Sequence, residues 1–443
     1  ARKPTDFALS AVIVSRNKSN QVGFWKKKPA LERGENVIIL VPKVGIEPTL
    51  PREHDFESCA SASSATPAIP NRVYLTNSQG SRETTMRLGI IGLPQSGKTT
   101  LFNALTRATQ PTGASGKIEI HTAVVDVPDR RVDVLSAMFK PKKTIYAKVT
   151  YVDIAGLDGS ASKSGISGAL LNQLTQMDGF IQVVRAFTDE NVAHVHESIN
   201  PQRDILNMDS EFVLNDLIAV ERKLERLEEE KKKGAGREKG LIEREHALFT
   251  RLQEILAGEV PLRDVEISEE DEKLLSGFGF LSRKPMMIVL NLAEGQAQPV
   301  VDYTHQNSRV ISLQGKLEMD IAQLSADEAA LFLAEYGIEE PSLSRMIRLS
   351  YDLLGLHSFF TVGPDECRAW TVKRGATAPE AAGEIHTDLQ KGFIRAEVVH
   401  YDDLVALGGM NEAKAHGKLR LEGKEYVVKD GDVLNILFNV TKR

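Results

Sequence analysis

Residues 92–100 read Gly-Leu-Pro-Gln-Ser-Gly-Lys-Thr-Thr: two glycines at fixed spacing, then Lys98 and Thr99. A polyphosphate brings several negative charges that must be met without a bulky cage. Backbone N–H groups at a glycine-rich turn and the positive end of a helix can meet them. Gly92 and Gly97 let the main chain come close, Lys98 can reach the β- and γ-phosphates, and the Thr99 hydroxyl can hold Mg²⁺. Gly92, Pro94, Gln95, Ser96, Gly97, Lys98, Thr99 and Thr100 are therefore the candidate nucleotide ligands. A second group, Asp153-Ile-Ala-Gly156, puts a carboxylate at the end of an apolar run. Asp153 can hold Mg²⁺ through water, and the Gly156 N–H can meet a γ-phosphate, so that hydrolysis would release the following loop. The chain is expected to bind a nucleoside triphosphate with Mg²⁺.

The third group is Asn291-Leu292-Ala293-Glu294. Guanine-specific enzymes of this kind use NKxD, whose Asp accepts from guanine N1–H and the 2-amino group. Here Lys is missing and the carboxylate is one methylene longer, so the guanine clamp is not reproduced and relaxed or adenine-favouring recognition becomes the expectation. Asn291, Leu292, Glu294 and Ser312 are the candidate base-side contacts. Leu157 follows Gly156 where many GTPases carry a water-orienting Gln; it can neither donate nor accept, so either turnover is slow or another group positions the water.

These groups need strands to hold them. The loop at 92 follows the apolar run Leu88-Gly-Ile-Ile and opens a helical pattern from Leu101. Lys148–Ile154, Phe180–Ala186 and Met286–Leu290 read as further strands. Strands separated by helical patterns imply a mostly parallel α/β sheet with the ligand at the strands' C-terminal ends. From Val213, apolar residues recur at Leu217, Val220, Leu224 and Leu227, and resume at Leu241, Leu248, Leu252 and Ile255 after a charged, glycine-containing break. Two helices packed along a narrow seam are expected, with acidic and basic residues balanced over 219–260 as on a solvated hairpin. From 355 on, short strands with one helical segment at Asp402–Leu407 suggest a separate α+β module in which Trp370, Phe393 and Tyr426 are core.

Composition bounds the rest. With 443 residues, two or three domains are expected. A net charge of −6 argues against general nucleic-acid coating. Cys59 and Cys367 are the two cysteines, with no CxxC, which argues against a disulfide framework or a zinc site. No apolar run is long enough to span a bilayer, and a cytoplasmic monomer is expected. Residues 1–85 are rich in Pro, Ser, Asn and basic residues without periodicity, and 44–67 looks like a translated transfer-RNA gene. They read as a spurious or disordered extension ahead of a natural start at Met86.

The loop MRLGIIGLPQSGKTTLFNALT, the VDIAGL and VVRAF strands, the NLAE group and the tail from FFTVGPDECRAW to GKEYVVKDGDV resemble the YchF/Ola1 branch of the Obg-like P-loop NTPases over 86–443. The resemblance implies a P-loop domain at 86–212 and 283–350, a coiled-coil insertion at 213–282, and a β-grasp TGS domain at 355–443. It also implies an Mg²⁺-dependent ATPase that tolerates GTP, with Leu157 at the glutamine position, and association with the ribosome, through the large subunit. This sequence departs from the family loop GLPNVGKST at Gln95-Ser96, where the Asn that helps hold K⁺ in related GTPases is missing. Counting back from Val127-Pro128-Asp129, residues 116–121 replace the family's switch I; its Mg²⁺-holding Thr and its Cys are gone, with Thr122 near enough to substitute. Asp158-Gly-Ser-Ala also differs from the family's loop after Leu157. Two readings stand: a slow ATPase switch, and a nucleotide-gated ribosome- or RNA-binding module that has lost turnover.

Overall fold

Apolar runs that carry no polar alternation become strands covered on both faces, and their loops then face one common edge. The computed structural model describes residues 86–107, 120–154, 166, 168–189, 192, 194–233, 237–336 and 338–439. The extension at 1–85 therefore lies outside the described residues, as do Gly116–Glu119, Gly156, Leu157 and Asp158.

The chain runs through β1 (Arg87–Ile91), α1 (Lys98–Thr106), β2 (Ile120–Asp126), α2 (Arg130–Phe139), β3 (Lys143–Ile145), β4 (Lys148–Ile154), α3 (Gly168–Thr175) and β5 (Gly179–Arg185). Two long helices follow, α4 (Pro201–Lys233) and α5 (Lys239–Ala257), then a 3-10 turn at Leu262–Asp264 and α6 (Glu269–Leu275). The first sheet closes with β6 (Met286–Asn291) and β7 (Ser308–Leu313), after which come α7 (Gly315–Gln323), α8 (Ala326–Glu335) and α9 (Ser342–Leu353). Its order is β2-β4-β1-β5-β6-β7, with β2 antiparallel and the other pairings parallel. Every residue of β5 and β6 is buried, which is why neither alternates in sequence.

Helix α4 serves two cores. Ile205, Met208 and Phe212 pack with the first sheet, whereas Val213, Val220, Leu224 and Leu227 pack with α5. The seam on α5 is Ile242, Leu248, Phe249, Leu252 and Leu256; Leu241 is exposed and Ile255 only partly covered, so the expected register is one residue off at both ends. Glu245 also lies on that buried side, held by Lys223 at 2.7 Å and by Arg237, and these charges masked the true stripe.

The second sheet is built from β8 (Leu356–Val362), β9 (Glu366–Lys373), α10 (Ala378–Ile385), α11 (Thr387–Lys391), β10 (Phe393–His400), α12 (Tyr401–Leu407), α13 (Met410–Ala415), β11 (Arg420–Glu422) and β12 (Asp432–Phe438). Its order is β11-β10-β12-β8-β9-β3, with the last strand β12 lying parallel to β8 at the centre, a β-grasp arrangement. One helix was expected in this region and the described residues form four; α10 is opened by a Thr377–Glu380 capping box. Trp370 and Phe393 are buried in its core beside Phe359 and Leu434. The edge strand β3 comes from the first half of the chain and pairs in parallel with β9, Thr144 opposite Cys367. One continuous core accordingly runs from Val132 and Leu135 of α2 to Phe360, Ala369 and Val433.

Candidate nucleotide-binding site

The site sits where the order of the first sheet reverses around β1, at the C-terminal end of that strand. Between β1 and α1 the chain turns at Gly92 (φ 143°), Gln95 (φ 60°) and Gly97 (φ 98°). A side chain at Gly92 would run into the Val183 carbonyl, and one at Gly97 into the Asn291 amide, so both positions need glycine for space as well as for φ. Gly97 caps α1 without any side-chain hydrogen bond, and the first turn of α1 holds no acidic residue. The opening N–H groups of that helix thus have no carboxylate competing for them, which suits an anion.

Lys98 Nζ donates to the carbonyls of Gly92 (2.9 Å) and Leu93 (2.8 Å), which hold the ammonium over the loop. Burial pushes its pKa down to about 8, with Asp153 pulling the other way. Thr99 Oγ1 donates to Asp153 Oδ2 at 3.2 Å, across from α1 to the end of β4. Burial raises the Asp153 pKa, opposed by Lys98, by the Thr99 hydrogen bond and by His121. A hydroxyl and a carboxylate this close form a hard-oxygen pair that fits Mg²⁺, an ion that keeps several waters and takes the rest of its shell from phosphate. Among the described residues no group of three or more His, Cys, Asp or Glu could hold a metal by itself, so the pair would act together with a phosphate. Ser96 is buried, and its hydroxyl has no partner among the described residues.

Pro94 and Gln95 form the exposed tip of the loop, and Thr100 lies half-buried in the first turn of α1. Asn291 is buried and joins two backbones: Nδ2 donates to the Ser96 carbonyl (3.0 Å) and Oδ1 accepts from Gly315 N–H (2.9 Å). Leu292 is buried, and Glu294 is exposed in the turn that follows. Ser312, on β7, donates to Gln298 Oε1 at 2.9 Å rather than toward the loop at 92. Thr122 is exposed and pairs with Val152, whereas His121 pairs with Asp153. Side chains on a strand alternate, so the register brings His121 to the carboxylate and turns Thr122 to the other face. Sequence reasoning missed His121 and Gly315; the antiparallel pairing of β2 with β4 and the start of α7 just after β7 were the signals that locate them.

Two family models match the chain: a 50S ribosome-binding GTPase over residues 87–223, and the C-terminal domain of YchF GTPases, described as a protein of unknown function, over 356–439. The chain is 42% identical over 369 residues to "Ribosome-binding ATPase YchF" of Bacillus subtilis (strain 168), covering 80% of this chain and 99% of that protein. It is 40% identical over 364 residues to the protein of the same name from Escherichia coli O157:H7, with the same coverages. The solved structure of the Schizosaccharomyces pombe YchF GTPase is similar with a TM-score of 0.67 and 30% identity, over 81% of this chain and 100% of that one. Matches that run through nearly the whole length of these relatives and take in both sheets mean that the chain belongs to the YchF family.

Proposed function

We propose that the chain is an Mg²⁺-dependent nucleoside triphosphatase that prefers ATP, tolerates GTP and works as a monomer on the ribosome. The observation that carries this is the convergence of Lys98, Thr99 and Asp153 at the uncapped start of α1. In this reading Lys98 meets the β- and γ-phosphates, and the loop N–H groups from Gly92 to Thr100 orient them. Thr99 and Asp153 hold the magnesium, which when bound neutralises charge developing on the phosphate oxygens. Gly156 meets the γ-phosphate, and Leu157 leaves the attacking water without an oriented acceptor, which keeps turnover slow.

The preference for ATP rests on Leu292 and Glu294, which do not reproduce the guanine clamp. Action on the ribosome, at the large subunit, follows the names of the bacterial relatives and of the matched GTPase model, with the C-terminal sheet as a TGS-type domain, and a cytoplasmic location goes with that reading. No described helix is long and apolar enough to cross a membrane.

The test is phosphate release from ATP together with co-sedimentation on ribosomes. Release that needs Mg²⁺ and is lost in Lys98→Ala, with nucleotide-dependent co-sedimentation, supports the reading. Nucleotide binding without release would turn it into a binding module, and no nucleotide binding would end it.

A further inference from the structure

Lys284 lies in the linker before β6, away from the loop at 92, yet it is partly buried and spends its donors on one helix end. Its Nζ donates to the carbonyls of Leu174 (2.9 Å), Thr175 (2.7 Å) and Met177 (2.6 Å). These are carbonyls at and just past the C-terminal end of α3, where a helix leaves acceptors unpaired and carries partial negative charge. An ammonium has three hydrogens, and here each has an acceptor. Helix α3 is eight residues long and buries only Leu170 and Leu174, so apolar packing alone holds it weakly. Lys284 also lies 5.7 Å from the centre of the Phe180 ring, on the strand that follows α3.

The residues just before Lys284 are fastened on their other side to the long helices. Leu281 N and Ser282 N donate to the two oxygens of Asp216 at 2.9 and 2.8 Å, and Ser282 Oγ adds a third bond at 2.7 Å. Asp216 is buried on α4, inside the part that packs with α5. Beyond the end of α5, Arg263 N donates to the Ser282 carbonyl at 3.1 Å, and Leu262 N donates to Ser282 Oγ at 3.2 Å. Gly279 lies directly on α3: a Cβ there would come within 2.7 Å of Thr175 Cβ. Residues 279–284 therefore form a short strap, pinned to α3 at one end and to both legs of the helical hairpin at the other.

We propose that Lys284 is a positioning residue for hydrolysis, which fixes the end of α3 and, through the strap and Asp216, makes the α4–α5 hairpin respond to nucleotide. The inference rests on the nucleoside triphosphatase reading above. Leu170 and Leu174 of α3 share one apolar core with Ile91 and Ile154, which end β1 and β4 beside the phosphate loop and Asp153. Lys284 spends its hydrogen bonds on the end of α3 and none on the loop, so its effect falls on turnover and on the hairpin, not on nucleotide affinity. Asp216 bonds the strap and its neighbour Asn215 and has no bond to the phosphate loop, so its loss separates the hairpin from a site that still turns over.

The experiment compares wild type, Lys284→Met, Lys284→Arg and Asp216→Asn, all as the full chain. It measures the ATP dissociation constant, kcat for phosphate release, and amide exchange along α4 and α5 with and without Mg²⁺-ATP. In Lys284→Met, kcat falls about tenfold while affinity stays within about twofold, the kind of loss a small misplacement produces. Lys284→Arg, which keeps the donors and the charge, recovers most of that loss. The nucleotide-dependent change in hairpin exchange disappears in Lys284→Met and in Asp216→Asn, while Asp216→Asn keeps wild-type kcat. Wild-type kcat and hairpin response in Lys284→Met would overturn the proposal. So would a parallel loss of affinity and kcat that Arg does not rescue, which marks a purely structural lysine. Wild type that neither binds nor hydrolyses ATP refutes the underlying reading instead, so the two failures are told apart within one set of measurements.

Discussion

Asn291 and Ser96, far apart in sequence, are joined across the top of the first sheet: the Asn291 amide donates to the Ser96 carbonyl at 3.0 Å. The same side chain accepts from Gly315 N–H, so one amide ties the phosphate loop to the start of α7. Because the group is buried, its first effect is on the shape of the loop rather than on the choice of base. The Asn of the NLAE group thus braces two backbones, and the proposed function assigns base selection to the residues after it.

Replacing Asn291 with Ala leaves a buried carbonyl and a buried N–H without partners, which costs about 1–3 kcal/mol. Stability in urea should fall by that amount, and ATP and GTP should both bind more weakly by similar factors. Weakening of one nucleotide alone would make Asn291 a base reader and remove the brace.

Lys98 gives a pH dependence with a definite sign. In the free protein burial holds its pKa down at about 8, and bound phosphate restores the protonated form. Above pH 8, binding must therefore take up a proton, and affinity weakens with rising pH by up to about tenfold per unit. The phosphate itself is already fully ionised there, since it titrates near 6. Titrations at pH 7, 8 and 9 should show little change over the first step and a clear loss over the second. A flat profile from 7 to 9 would contradict the assigned contact.

Arg131 on α2 holds the second sheet to the first domain. Its guanidinium forks onto Asp430 at 2.9 and 3.1 Å, is steadied by Asp129, and lies 5.0 Å from the centre of the Phe360 ring. Asp430 is about half exposed, which discounts the ion pair and leaves a loss of about 1 kcal/mol for Arg131→Ala. Arg131→Lys should recover less than half of it, because an ammonium cannot fork. Denaturant midpoints of the three proteins check this; an unchanged midpoint in Arg131→Ala would show that the apolar core between the sheets suffices.

Much of this could be read from sequence wherever the signal is contiguous. Gly92 to Thr100 is one unbroken motif, and the buried strands around it are unbroken apolar runs, so loop, strand and helix follow directly. The parts that escaped depend on pairing between distant segments. Counting residues offers Thr122 as a substitute for the missing Mg²⁺-holding Thr, but the β2–β4 register puts His121 opposite Asp153 and turns Thr122 to the other face. The strand Lys143–Ile145 is too short and polar to stand out, and only its pairing with β9 makes it part of the second sheet. On α5, Glu245 sits on the buried side because Lys223 and Arg237 pair with it, which hid the step from Leu241 to Ile242. Nothing in the sequence around Lys284 marks it, because its three carbonyl acceptors lie more than a hundred residues earlier in the chain.

The most direct test of the central claim is a parallel titration of the full chain with ATP and GTP in the presence of Mg²⁺, followed by phosphate release. The account predicts tighter binding of ATP and slow release that disappears on chelation of Mg²⁺ and in Lys98→Ala. GTP bound more tightly by tenfold or more, about 1.4 kcal/mol, would contradict the base argument from Leu292 and Glu294.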